Sequence, residues 1–135
     1  MNLEGIINIS GKSGLYKVIS QGTNTIIVES IIDGKRLPLN SNSQANMLEE
    51  IGIYTHDDTK PLSEIFNEIA LKENYKYAID HKSTRNELLT YFRQILPDYD
   101  QDRVYISDIK KLIQWYNTMQ KHGLIERPKE KGVKK

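Results

Sequence analysis

The run Ile9-Ser10-Gly11-Lys12-Ser13-Gly14-Leu15-Tyr16-Lys17-Val18 admits three readings, and the choice among them decides the fold. Gly11-Lys12-Ser13 matches the end of a phosphate-binding loop, G-x-x-x-x-G-K-[ST], in which backbone N–H groups between a strand and a helix surround phosphates. The first glycine of that pattern would fall at position 6, which is Ile6; Gly5 is one place too early. No helix follows either, because residues 15–20 are β-prone and run into the turn Gly22-Thr23-Asn24, so no helix N-terminus faces a phosphate. Gly11-Lys12-Ser13-Gly14 also has the letters of the GxxG clamp of RNA-binding KH domains. That clamp lies between helices, and the ten residues before Gly11 are too few for a strand and a helix. What remains is a pair of glycines that permit a tight backbone path into the first long strand.

Working outward from that strand, residues 25–32 alternate incompletely. Ile26, Val28 and Ile32 fall on one face and Thr25, Ile27, Glu29 and Ile31 on the other, so both faces of the strand should be partly covered. Asp33-Gly34 follows at once, a two-residue hairpin signal because glycine tolerates the positive φ of such turns. Residues 35–39 return as the partner strand, and Pro38, which lacks an N–H, puts that strand at an edge. Residues 41–44 read as a loop and residues 51–55 as a further strand. Several short strands joined by tight turns predict a small SH3-like β-barrel over residues 1–56.

Beyond a linker at 57–60 the hydrophobic period changes from two to 3.6, and residues 61–126 predict three helices. Leu62, Ile65, Phe66, Ile69 and Ala70 form the first apolar stripe, with Pro61 suited to a first helical position. Thr84 with Glu87 fits a capping box for the second helix; its stripe is Leu88, Leu89, Phe92, Ile95 and Leu96, and Pro97 ends it. The third starts near Ser107-Asp108 and carries Ile109, Leu112, Ile113, Tyr116 and Met119, with Gly123 as its C′ residue. The predicted class is therefore α+β, a small barrel followed by a three-helix domain.

Composition narrows function. The 135 residues contain no cysteine, which removes disulfides, thiol nucleophiles and thiolate-bound metals and points to a cytoplasmic setting. The N-terminal residues lack the basic and apolar regions of a signal peptide, and no apolar run reaches the ~20 residues of a membrane span. The net charge is +1, but residues 127–135 hold five basic residues and one acid, so the tail is basic and the body mildly acidic. That balance does not predict whole-body attraction to nucleic acid.

The candidate chemical motifs fail on spacing. Asp98-Tyr99-Asp100-Gln101-Asp102 opens like an EF-hand loop, but Arg103 stands where the turn glycine belongs and Ile109 where a bidentate Glu belongs. The segment is better read as a polar connection with Tyr99 packed inward. Asp80-His81-Lys82-Ser83 has triad letters in a row, whereas triads are assembled in space. His56 beside Asp57 and Asp58 has no second histidine at ligand spacing, and His122 is isolated. No catalytic residue, metal ligand or cofactor site is assigned. A candidate binding surface is assigned to Lys12, Tyr16, Lys17, Lys35 and Arg36, whose basic and aromatic chemistry suits bases and phosphates. Trp115, at the margin of the third stripe, is added as a contact between lobes or an anchor for a partner.

The run 9–17, the turn Asp33-Gly34-Lys35-Arg36, the pair Pro61-Leu62, Leu96-Pro97-Asp98-Tyr99-Asp100, Ser107-Asp108-Ile109-Lys110-Lys111 and Trp115-Tyr116 together resemble a group of short bacterial proteins known as domains of unknown function. The resemblance covers about residues 1–125 and implies a small SH3-like barrel followed by a helical domain. It implies no activity, cofactor or catalytic residue. The expected function is a non-enzymatic cytoplasmic binding module with another protein as partner; the alternatives are RNA or DNA binding through the basic-aromatic surface and, last, an enzyme of unknown reaction.

Overall fold

A computed structural model describes residues 3–12, 14–23, 25–39 and 44–125. The N-terminal half is an antiparallel sheet made of β1 (Ile6–Ile9), β2 (Tyr16–Gln21), β3 (Ile26–Ser30), β4 (Arg36–Leu39) and β5 (Ala45–Met47), in the order β4-β3-β2-β1-β5. The first four strands form a meander, and β5 returns to pair with β1 through Ile7–Met47 and Ile9–Ala45. A 3₁₀ turn at Leu48–Glu50 leads to a separate hairpin, β6 (Gly52–Tyr54) and β7 (Thr59–Pro61). Three helices follow: α1 (Leu62–Lys72), α2 (Arg85–Ile95) and α3 (Ile106–Lys121). The fold is thus α+β, a five-stranded antiparallel sheet followed by three helices.

Several local expectations hold for the physical reasons that suggested them. Gly14 has φ +82°, and a Cβ there would stand 2.7 Å from the Ile32 side chain, so the entry to β2 requires glycine twice over. Val28 is fully buried on one face of β3 while Ile31, just beyond it, packs against the helical core on the other side. Pro38 lies in β4, at the sheet edge. The Thr84 hydroxyl accepts from the Glu87 N–H at 3.2 Å and the Glu87 carboxylate accepts from the Thr84 N–H at 2.9 Å, a complete capping box. At the end of α3, Leu124 N–H donates to Met119 C=O and Gly123 N–H to Gln120 C=O, the paired bonds of a Schellman motif.

Other details differ. The β3–β4 connection spans residues 31–35, rather than two residues at Asp33-Gly34. The Ser30 hydroxyl accepts from the Ile32 N–H, and the Asp33 carboxylate accepts from the Lys35 N–H at 2.9 Å. These side-chain bonds satisfy the wider loop, and the second holds the Asp33 carboxyl below its ordinary pKa. Ile26 and Ile32, assigned to Val28's face, are exposed because they lie at the mouth of β3 and in that loop. The expected linker runs into β7, whose Pro61 is the N-cap of α1 rather than its first helical residue. α3 opens one residue earlier than expected, at Ile106, with Tyr105 as N-cap and its N–H donating to the Asp108 carboxylate at 3.0 Å. The loop expected at 41–44 lies mostly outside the described residues, as do Ser13, Asn24 and the basic tail.

The two halves share one core. Leu3, Ile6, Leu15 and Leu48 from the sheet side join Ile53 and the stripes of all three helices. Phe66 and Tyr116 meet edge to face at 5.8 Å, as do Phe92 and Tyr99 at 4.9 Å. On the sheet's other face Ile7, Ile9, Val28 and Leu39 form a second, smaller cluster. The long α1–α2 connection is held down by α3, where the Asn117 side chain accepts from Ala78 N–H and donates to Ile79 C=O, and the Tyr116 hydroxyl donates to Lys76 C=O.

Candidate functional site

The β6–β7 hairpin and the first turns of α3 enclose an apolar cleft of about 230 Å³. Strand alternation sends Ile53 inward, and with Leu62, Val104 and Leu112 it gives the cleft a buried inner surface. Ile51 and Gly52 form one wall, and Trp115, half-buried, stands on the other. Tyr54, Arg103, Asp108 and Lys111 surround the opening. The Arg103 guanidinium lies 4.3 Å from the centre of the Tyr54 ring, a cation–π contact. The same Arg103 donates to the Asp100 carboxylate at 2.8 Å, and Asp100 also accepts from the Asp102 N–H. Arg103 first, and that N–H second, hold the Asp100 carboxyl below the usual carboxylate range. The segment that resembled an EF-hand is therefore a turn closed on itself, with Tyr99 buried as expected. Among the described residues no group of His, Cys, Asp or Glu side chains is arranged to hold a metal ion.

Of the residues singled out in the sequence, only Trp115 lines this cleft. The other five do not converge. Lys12 is exposed beside β4, near Leu37 and Pro38. Tyr16 is half-buried against the smaller sheet cluster, so by strand alternation its ring and the Lys17 side chain take opposite faces. Lys17, Glu29 and Arg36 are aligned in register across β2, β3 and β4, and Arg36 pairs with Glu29 at 3.3 Å. The carboxylate between two basic residues lowers the positive potential of that row. Lys35 is exposed in the β3–β4 loop. His81 lies 3.6 Å from Asp80, its sequence neighbour, away from the cleft.

Tyr54, Arg103 and Lys111 escaped the sequence reading. Alternation around Ile53 places Tyr54 on the outer face of a strand, but nothing local signals that it meets Arg103 across 49 positions of chain. Arg103 was visible only as the residue that spoils a calcium loop.

A small antiparallel sheet and a three-helix lobe around a shared core, with an apolar cleft beside the β6–β7 hairpin, define an α+β module. The chain belongs to the family described as Domain of unknown function (DUF6852), which matches residues 51–119; residues 3–48 match a second, Domain of unknown function (DUF5606). The chain is also similar to a protein from Bacteroides vulgatus with a solution NMR structure, at 43% identity and a TM-score of 0.74, over 93% of this chain and 90% of that one. A comparison with curated proteins finds no match. These findings agree with the resemblance to bacterial domains of unknown function. Among the described residues, no helix is long and apolar enough to cross a membrane.

Proposed function

We propose that the chain is a non-enzymatic module that binds another protein through the Trp115 cleft. The observation that carries this reading is the cleft's composition: a buried aliphatic interior bordered by Trp115, Tyr54 and Arg103. Trp, Tyr and Arg are the residue types that dominate protein-binding hot spots, because each combines a large contact area with a polar or charged handle. At about 230 Å³ the cleft is smaller than the ~300–1,000 Å³ of ordinary small-molecule pockets, and suits one large apolar side chain of a partner. Its carboxylate, Asp108, is engaged by the N-terminal N–H of its own helix, which favours a binding role over acid–base chemistry. We read the sheet lobe as SH3-like, on the strength of its meander and the return of β5 to β1. We place the protein in the cytoplasm on its lack of cysteine. A nucleic-acid role for the sheet's basic row is the weaker reading, given Glu29 between Lys17 and Arg36.

Affinity capture from cells that naturally produce the protein, with and without nuclease, tests the reading. Specific proteins should be captured in both conditions and lost with Tyr54→Ala, an exposed site whose change leaves the core intact. Capture that disappears with nuclease, or that persists undiminished in Tyr54→Ala and Trp115→Ala, would overturn it.

A further inference from the structure

Resting on the reading of the cleft as a protein-binding site, we infer that Arg103 is a positioning residue for that site: it holds the Tyr54 ring, one aromatic border of the cleft, in place before a partner arrives. Strand alternation turns Ile53 into the core and Tyr54 outward. The Tyr54 ring is exposed, so the core does not clasp it. The Arg103 guanidinium lies over that ring, 4.3 Å from its centre, and both side chains line the cleft.

Arg103 is itself aimed. Its Nε–H donates to one Asp100 carboxylate oxygen at 2.8 Å, and the other oxygen accepts from the Asp102 N–H at 2.9 Å. The Asp100 side chain is 15% exposed against 52% for Arg103, so the carboxylate is the fixed end of the pair. Asp100 is in turn tied to the hairpin. Its N–H donates to Tyr54 C=O at 2.9 Å, and His56 N–H donates to Asp98 C=O at 3.1 Å, with Thr55 and Tyr99 paired between these bonds. The contacts close into a circuit. The Tyr54 backbone fixes Asp100, Asp100 aims Arg103, and Arg103 covers the Tyr54 ring. Because Asp100 already offsets the Arg103 charge, the guanidinium holds no unmatched charge for an acidic partner. Its contact with the ring is the role the geometry leaves to it. A border fixed in advance spares a partner the cost of ordering it.

The test compares Arg103→Gln, which keeps a polar side chain but loses the charge over the ring, with Arg103→Lys, which keeps the charge but loses the planar fork. Solution NMR of the free, full-length protein reads the ring directly. In the wild type the Tyr54 Hα–Hβ couplings should report a single χ1 rotamer, and Tyr54→Leu should move the Arg103 Nε–H resonance by removing the ring current. In Arg103→Gln the couplings should average over rotamers. Capture from producing cells on limiting amounts of that variant should fall roughly two- to fivefold, the scale of an exposed cation–π contact. Arg103→Lys should lie between Arg103→Gln and the wild type in both measurements. A Tyr54 rotamer that stays single in Arg103→Gln, undiminished capture by that variant, or no rescue by Arg103→Lys would overturn the inference. If any of these occurs while Tyr54→Ala still abolishes capture, the cleft stays the binding site and Arg103 does not position it. If capture is also indifferent to Tyr54→Ala, the functional reading itself fails.

Discussion

The sheet's own cluster buries four side chains, Ile7, Ile9, Val28 and Leu39, whereas the core around the helices draws on all three helices and on Leu3, Ile6, Leu15 and Leu48 from the sheet side. The same sheet thus has two apolar faces of unequal depth. Its larger hydrophobic investment faces the helices, and its smaller one stays within the strands. The difference teaches that the sheet lobe depends on the helical lobe more than the reverse. Truncating a large, fully buried helical side chain gives the largest expected effect. Phe92→Ala should cost about 3–5 kcal/mol, because it removes a fully buried ring and its edge contact with Tyr99. Val28→Ala, fully buried in the smaller cluster, should cost about 1.5–2.5 kcal/mol, the loss of two methyl groups and a small cavity. Urea denaturation followed by Trp115 fluorescence measures both. Equal costs would abolish the distinction between the lobes.

The helical side of this comparison was legible in the sequence because its signals are local. The stripes of α1 and α3 name their buried residues without error, and Thr84-Glu87 and Gly123 mark the ends by bonds that span three or four residues. In α2 the stripe omits Tyr91, which is buried with its hydroxyl donating to the Glu73 carboxylate at 2.5 Å, and includes Leu89, which is only partly buried. The sheet was less legible. β1, β5 and β7 are three or four residues long, too short for alternation to register, and β5 reaches β1 across most of the sheet lobe. The cleft was legible only through Trp115. Tyr54, Arg103 and Lys111 come from three separate elements, and their meeting is a property of packing that no local pattern encodes.

Leu48 tests the joint between the two regions. It follows β5 directly, is fully buried and belongs to the shared core. Leu48→Ala should cost roughly 2–4 kcal/mol. If the sheet leans on the helices, amides in β1 and β5 should lose exchange protection more than amides in α2. Uniform loss would mean that the chain unfolds as one unit, and would replace the picture of a dependent sheet with that of a single cooperative core.

Alkali should sharpen the contrast from the helical side. Burial, followed by the Glu73 hydrogen bond, pushes the Tyr91 hydroxyl well above its ordinary pKa, and burial with the nearby Glu73 charge pushes Tyr116 up to about 12. A raised pKa favours the neutral phenol in the folded state. The associated stability is complete below about pH 10 and is lost as pH rises from there toward 12. Ultraviolet titration should therefore show Tyr91 and Tyr116 ionising last, together with loss of helix. Tyr116→Phe gives up the bond to Lys76 C=O, at about 1–1.5 kcal/mol, and should make the remaining protein less sensitive to alkali. An unchanged alkaline midpoint in Tyr91→Phe and Tyr116→Phe would show that these hydroxyls do not govern it.

The smallest effect belongs to the basic row of the sheet. Arg36 and Glu29 form an ion pair 3.3 Å apart, with the Arg36 side chain 69% exposed, so water and salt screen most of their attraction. Arg36→Ala should change stability by less than about 0.5 kcal/mol. The same variant asks where binding resides. With Glu29 between Lys17 and Arg36, wild-type protein should show no measurable affinity for single-stranded oligonucleotides even at low salt, where phosphate contacts are strongest. Binding at low salt that weakens both in Arg36→Ala and with added salt would move the functional surface from the helical side to the sheet. It would do so while leaving the unequal cores untouched, since Lys17, Glu29 and Arg36 belong to neither cluster.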